Sequence, residues 1–176
     1  MATLTAHRPT ATEHHPYYGK YIALVPEDEA IPALESQMAD SLALLRTIPE
    51  SKAEHRYAPD KWSIKEVIGH LIDAERVFAY RAMRFAHQDA TPLPGFDETT
   101  YVPAGGFGRF ALADLVSEWE LVRRSNLALF RRFDADMWKR MGVASDNPVS
   151  VRALAFIIAG HGRHHVAIIR ERYLGA

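Results

Sequence analysis

The stretch Ser63-IKEVIGHLIDAERVFAYRAMRFA-His87 decides the fold. Ser63 and Glu66 have capping-box spacing, in which the hydroxyl and the carboxylate each take up an orphan backbone amide at a helix start. Trp62 and Val67 then fall at the two hydrophobic-staple positions. Apolar residues recur from there at intervals of three and four, the period of an amphipathic helix. Three more segments read the same way. One runs from about 31 to 48, with Leu34, Met38, Leu42 and Leu45 on one stripe and Pro49 as its stop. Another runs from about 112 to 133, with Leu115, Trp119, Val122, Leu129 and Phe133 aligned, and Asn126 on the same stripe. The last runs from about 150 to 174, with Ser150 as N-cap behind the breaker Asn147-Pro148. Four such segments predict an all-α protein, a four-helix bundle. No β-hairpin signal is strong enough to add a sheet.

Outside the segments the chain changes character. Residues 1–20 are rich in Thr, His, Pro and Tyr without periodicity, and read as a tail that is disordered or laid across the surface. Residues 21–176 then form a single domain. Between the second and third segments lies TPLPGFDETTYVPAGGFGRF, with three prolines, four glycines and no period. A connection of that length is either a crossover spanning the bundle or a functional loop.

Composition excludes several classes. The chain has 176 residues, 48% of them hydrophobic, which suits one domain with a proper core. A formal net charge of -1 gives no basic field for nucleic acid. There is no cysteine, hence no disulfide, thiolate ligand or cysteine nucleophile. Neither a secretory leader nor a membrane span is recognisable, so the expected location is the cytoplasm.

Histidine is in surplus: nine in all, three of them in His161-Gly-Arg-His164-His165. A helix advances about 100° per residue, which places His165 about 40° from His161, Leu154 about 20° away, and Arg152, Arg163 and Arg170 on the opposite side. His161 and His165 therefore point inward. An inward pair four residues apart can converge on one metal ion, and a catalytic metal usually takes a third protein ligand. His70 supplies the candidate: Val67, Ala74 and Phe85 surround it on the buried stripe of its own helix. Polar residues border that stripe. Asp73 and Glu66 are weak candidates for a general base, although a surface salt bridge with Arg76 or Arg84 explains Asp73 as well. Arg81 lies near the apolar centre, where it would either pair internally with a carboxylate or bind an anion.

The runs KWSIKEVIGHLIDAERVFAYRAMRFA (61–86), LPGFDETTYV (93–102) and AFIIAGHGRHHVAIIRERYL (155–174) together resemble the DinB-like superfamily, which includes YfiT-type metal-dependent hydrolases and several thiol S-transferases. The resemblance extends from about His15 to Leu174. It implies a four-helix bundle in up-down-down-up order, with the long crossover between helices two and three. It also implies one divalent metal ion, Zn, Ni, Mn or Fe, held by His70, His161 and His165. Some relatives employ a low-molecular-weight thiol such as mycothiol or bacillithiol, and homodimers are common, so a homodimer is expected here.

The resulting expectation is a metal-dependent enzyme acting on a small molecule. A thiol S-transferase for a small electrophile comes first and a hydrolase second. A non-catalytic metal-binding protein of the stress response, and a metal-free helical dimerisation module, are the alternatives outside enzymes.

Overall fold

In the computed structural model residues 6–175 are described. The elements are α1 (Gly19–Ile22), α2 (Ala30–Leu45), α3 (Ile64–Ala86), α4 (Glu98–Gly105), α5 (Leu112–Phe130), α6 (Ala135–Lys139), β1 (Met141–Ala144), β2 (Asn147–Ser150) and α7 (Val151–Ile168). The four long helices α2, α3, α5 and α7 are the predicted bundle. Local chemistry sets their starts. Ser63 Oγ accepts from the Glu66 amide at 3.3 Å, and Glu66 Oε2 accepts from the Ser63 amide at 2.7 Å. Ser150 Oγ caps α7 through the Ala153 amide at 3.0 Å. Beyond Ile168 the last turns widen into a π-helix over Ile169–Leu174.

Side-chain pairs give the helix directions. Leu112–Trp119 of α5 packs with Ile64–Ile72 of α3, and Arg123 farther along α5 meets Glu75 farther along α3, so these two helices run parallel. Tyr173, beyond the end of α7, donates to the Trp62 carbonyl before α3 at 2.6 Å, so α3 and α7 are antiparallel. Arg46 pairs with Glu120 and Arg131 with Glu35, so α2 and α5 are antiparallel too. The order is up-down-down-up. Parallel neighbours cannot be joined by a tight turn, and residues 87–111, carrying α4, make the crossover between α3 and α5.

Two apolar cores occupy the two ends of the bundle. One gathers Leu34, Phe78, Phe85, Phe130, Trp138, Leu154 and Phe156; the other gathers Leu45, Ile64, Ile68, Leu115, Trp119 and Ile169. A polar layer lies between them. Arg123 donates to both carboxylate oxygens of Glu75, at 2.5 and 3.0 Å, to the Leu34 carbonyl at 2.9 Å and to Gln37. Asn126 Nδ2 adds a bond to Glu75 at 3.3 Å, and Gln37 donates to Ser41 at 2.7 Å. Every charge of this layer is paired, which is what burial requires.

Two features depart from the sequence reading. The third helix stops at Phe130, and after α6 the chain forms an antiparallel hairpin, β1 with β2. Its turn residues Ser145 and Asp146 both have positive φ, 50° and 61°, as a tight hairpin twist demands. Asn-Gly is the usual signature for that turn; Ser-Asp is not, and the signal was therefore weak. Leu93 of the crossover pairs beside Ala144 in parallel, exchanging bonds with Val143 and Ser145.

The start of the chain lies across the bundle. Arg8 donates to the carbonyls of Ile22, Val25 and Glu27. Glu13 forms a two-pronged ion pair with Arg152. Arg152 and Arg163, read as solvent-facing, are half-buried as a result, the latter paired with Glu27 at 2.7 Å. Residues 1–5 of the predicted tail lie outside the described residues. No described helix is long and apolar enough to cross a membrane.

Candidate metal centre

On either side of His161 the neighbours of α7 approach it closely. A Cβ on Gly160 would lie 2.0 Å from the Tyr21 carbonyl oxygen, and one on Gly162 would lie 2.5 Å from the Gln37 amide nitrogen. Only glycine at these two positions lets α1 and α2 close on α7 from either side of the histidine. His165 follows one turn later on the same face, and α3 brings His70 opposite.

The three imidazoles converge through their Nε2 atoms. His70 Nε2 is 3.0 Å from His161 Nε2, and His165 Nε2 is 3.1 Å from His161 Nε2. One ligand atom from each of the three residues lies within 4.8 Å of the others. Tetrahedral ligands at about 2.0–2.1 Å from an ion would be about 3.3 Å apart, so the cluster fits a metal with little adjustment. Burial holds His70 down to about 4, with the Glu98 charge opposing the shift. Burial also holds His161 and His165 well below the usual histidine range, and neighbouring imidazoles push the same way. All three are neutral at neutral pH, the state in which imidazole ligates. An all-imidazole donor set suits Zn, Ni, Cu or Fe and does not choose among them.

The cluster forms the floor of a cavity of about 170 Å³. Trp62 leans over His70 with ring centroids 5.0 Å apart, and Tyr21 meets His161 edge-on at 5.3 Å. Tyr17 and Tyr18 from the N-terminal segment, Phe78 and Arg81 from α3, Phe96 and Glu98 from the crossover, and Ser145 from the hairpin turn complete the wall. Burial raises the phenols of Tyr18 and Tyr21 above the usual tyrosine range, so both stay protonated.

A family model for the DinB superfamily matches residues 33–169. The chain belongs to the DinB superfamily. The match holds all three histidines, and the N-terminal segment lies outside it. Among solved structures, YfiT from Bacillus subtilis superposes with a TM-score of 0.74 at 16% identity, covering 96% of this chain and 94% of that one. YfiT is described as a probable metal-dependent hydrolase with an unusual four-helix bundle topology. At that identity the likeness is one of fold. No curated protein matches the sequence.

Within this DinB domain the structure brings together His70, His161 and His165 and keeps the two candidate bases apart from them. Glu66 is engaged in the cap of α3 and pairs with Arg56 at 2.7 Å. Asp73 faces Arg76 at 4.0 Å, and neither carboxylate lines the cavity. The carboxylate that does is Glu98, at the first position of α4. It lies inside LPGFDETTYV, a stretch whose lack of period hid which side chains face inward. The tyrosines of the N-terminal segment were missed for the same reason.

Proposed function

We propose that this chain is a metal-dependent enzyme that presents a nucleophile, held at the three-histidine centre, to a small electrophile in the aromatic cavity. The convergence of three neutral Nε2 atoms on the cavity floor carries the reading. A divalent ion bound there would lower the pKa of a coordinated thiol or water and so yield a nucleophile near neutral pH. His70, His161 and His165 occupy one side only, which leaves room for a further ligand from the cavity. Trp62, Phe78 and Phe96 exclude water from the reacting groups and offer faces to an apolar substrate.

Thiol S-transfer is the first choice within this reading. A coordinated thiol ionises outright and needs no base in hydrogen-bond reach. Among the described residues, none of the hydrogen bonds joins a carboxylate to the three imidazoles. The chain has no cysteine, so the thiol would be a separate low-molecular-weight molecule. Hydrolysis is the second choice. It is favoured by Glu98, a carboxylate on the cavity wall, and by the description of YfiT.

The test is metal content by elemental analysis on protein purified without a histidine tag, beside the His161→Ala/His165→Ala double variant. About one ion per chain, lost in the variant with helicity retained, is expected. Conjugation of a small thiol to a model electrophile, and ester or amide hydrolysis, are then assayed with that ion. Substantial activity in His70→Ala would sink the enzyme reading.

A further inference from the structure

Two arginines among the described residues are almost wholly buried, and they are treated differently. Arg123 is 0% exposed and is neutralised by both oxygens of Glu75. Arg81 is 3% exposed and has only neutral partners. Its Nη2 donates to the Pro94 carbonyl at 2.7 Å and to Ser145 Oγ at 3.1 Å. The Tyr18 hydroxyl lies against the same guanidinium. Among the described residues no carboxylate pairs with it. Burying an arginine without a counter-charge is costly, and arginine does not shed its proton to escape. The group is nevertheless held firmly, because the crossover strand at Leu93–Pro94 and the hairpin turn at Ser145 are hydrogen-bonded to each other around it. It also lines the cavity above the three histidines.

We propose that Arg81 receives the carboxylate of the substrate, so that the cavity is built for a small organic acid with an apolar body. This rests on the reading of the three-histidine cavity as the substrate site. With both Nη2 hydrogens taken by fixed acceptors, neither two-pronged edge of the guanidinium is free, and Nε–H or Nη1–H remains to give an oxyanion a single charge-assisted hydrogen bond. A single positive charge in a cavity that Glu98 also lines matches a monoanion better than a phosphate dianion. The aromatic walls take the remainder of the molecule. A cavity of about 150 Å³ holds a benzene ring, and this one is of that order.

The probes are benzoate and its neutral isostere benzamide, titrated by NMR into metal-free protein. Wild type is expected to bind benzoate at least tenfold more tightly than benzamide. Arg81→Gln is expected to keep benzamide binding and lose the preference. Should that variant bind neither, Arg81→Lys decides: a weaker preference for benzoate supports the proposal, and no preference overturns it. Equal binding of the two probes by wild type overturns it as well. So does a preference that survives in Arg81→Gln, which would place the anion elsewhere in the cavity. A preference that arises only after zinc is added, unaffected by Arg81→Gln, would put the carboxylate on the ion and also overturn it. The metal-free titration stands whether or not the histidines take up an ion, so failure of the metal reading and failure of this one are separately visible.

Discussion

The stability of single side chains in this molecule turns on where charge is buried. The Arg123–Glu75 pair joins three helices in a layer almost wholly closed to solvent. Arg123→Met leaves Glu75 buried with no counter-charge, and is expected to cost about 3–5 kcal/mol in urea denaturation. Adding Glu75→Leu should recover much of that loss, because the uncompensated charge goes with it. Glu13 behaves differently. Burial alone would raise its carboxyl, but Arg152 and the Thr10 amide and hydroxyl overcome that and lower it from 4.5 to about 2. The folded pKa is therefore below the unfolded one. The ion pair stabilises fully above about pH 4.5 and is lost as the pH falls toward 2. Glu13→Gln should lower stability by about 1–2 kcal/mol at neutral pH, after allowance for solvent screening. The difference from wild type should vanish near pH 2, as thermal melts across that range would show. In the sequence both His161 and His165 were legible, because a helix wheel needs only the period. Arg123 and Glu75 were legible in principle as well. Each sits at stripe spacing, Arg123 four residues after Trp119 and Glu75 four after Leu71, but a charge on a stripe is read as an edge until its partner on another helix is known.

Among the elements, the long helices were written in the chain by their caps and breakers, whereas the short pieces depended on tertiary contacts. The capping box at Ser63 and the cap at Ser150 gave α3 and α7 their starts to within a residue. The hairpin lacked a turn signature and carries Pro148 in β2, and α4 is a short helix with Pro103 inside it. Neither has a period long enough to recognise. The packing of α1 on α7 makes a sharp demand on one atom. Gly160→Ala puts a methyl group into the Tyr21 carbonyl, which is backbone and cannot swing aside. The expected cost is about 1–3 kcal/mol, with Tyr21 displaced from the edge of His161. A fall in melting temperature together with a change in the NMR shifts of His161 would show both.

For the whole molecule, the proposed ion site would bridge α3 and α7, two helices that run in opposite directions. Binding to the folded state alone stabilises it by about 4 kcal/mol at a thousandfold excess over Kd. Addition of the ion that elemental analysis identifies should raise the melting temperature of the metal-free protein, and His70→Ala should abolish the rise. An unchanged melting curve would exclude a metal that couples to folding. The architecture also separates two duties. The three histidines stand on α3 and α7, whereas Tyr17, Tyr18, Phe96, Glu98 and Ser145 stand on the leading segment, the crossover and the hairpin turn, and of these Tyr17 and Tyr18 lie outside the region matched to the superfamily. Mutations in those outlying pieces can reshape what the cavity admits without disturbing the three imidazoles. A lineage built on this plan could drift in what its proposed cavity admits while the three imidazoles stay constant, and exchange of the short segment Pro16–Tyr18 between relatives would be a compact graft to carry a new preference.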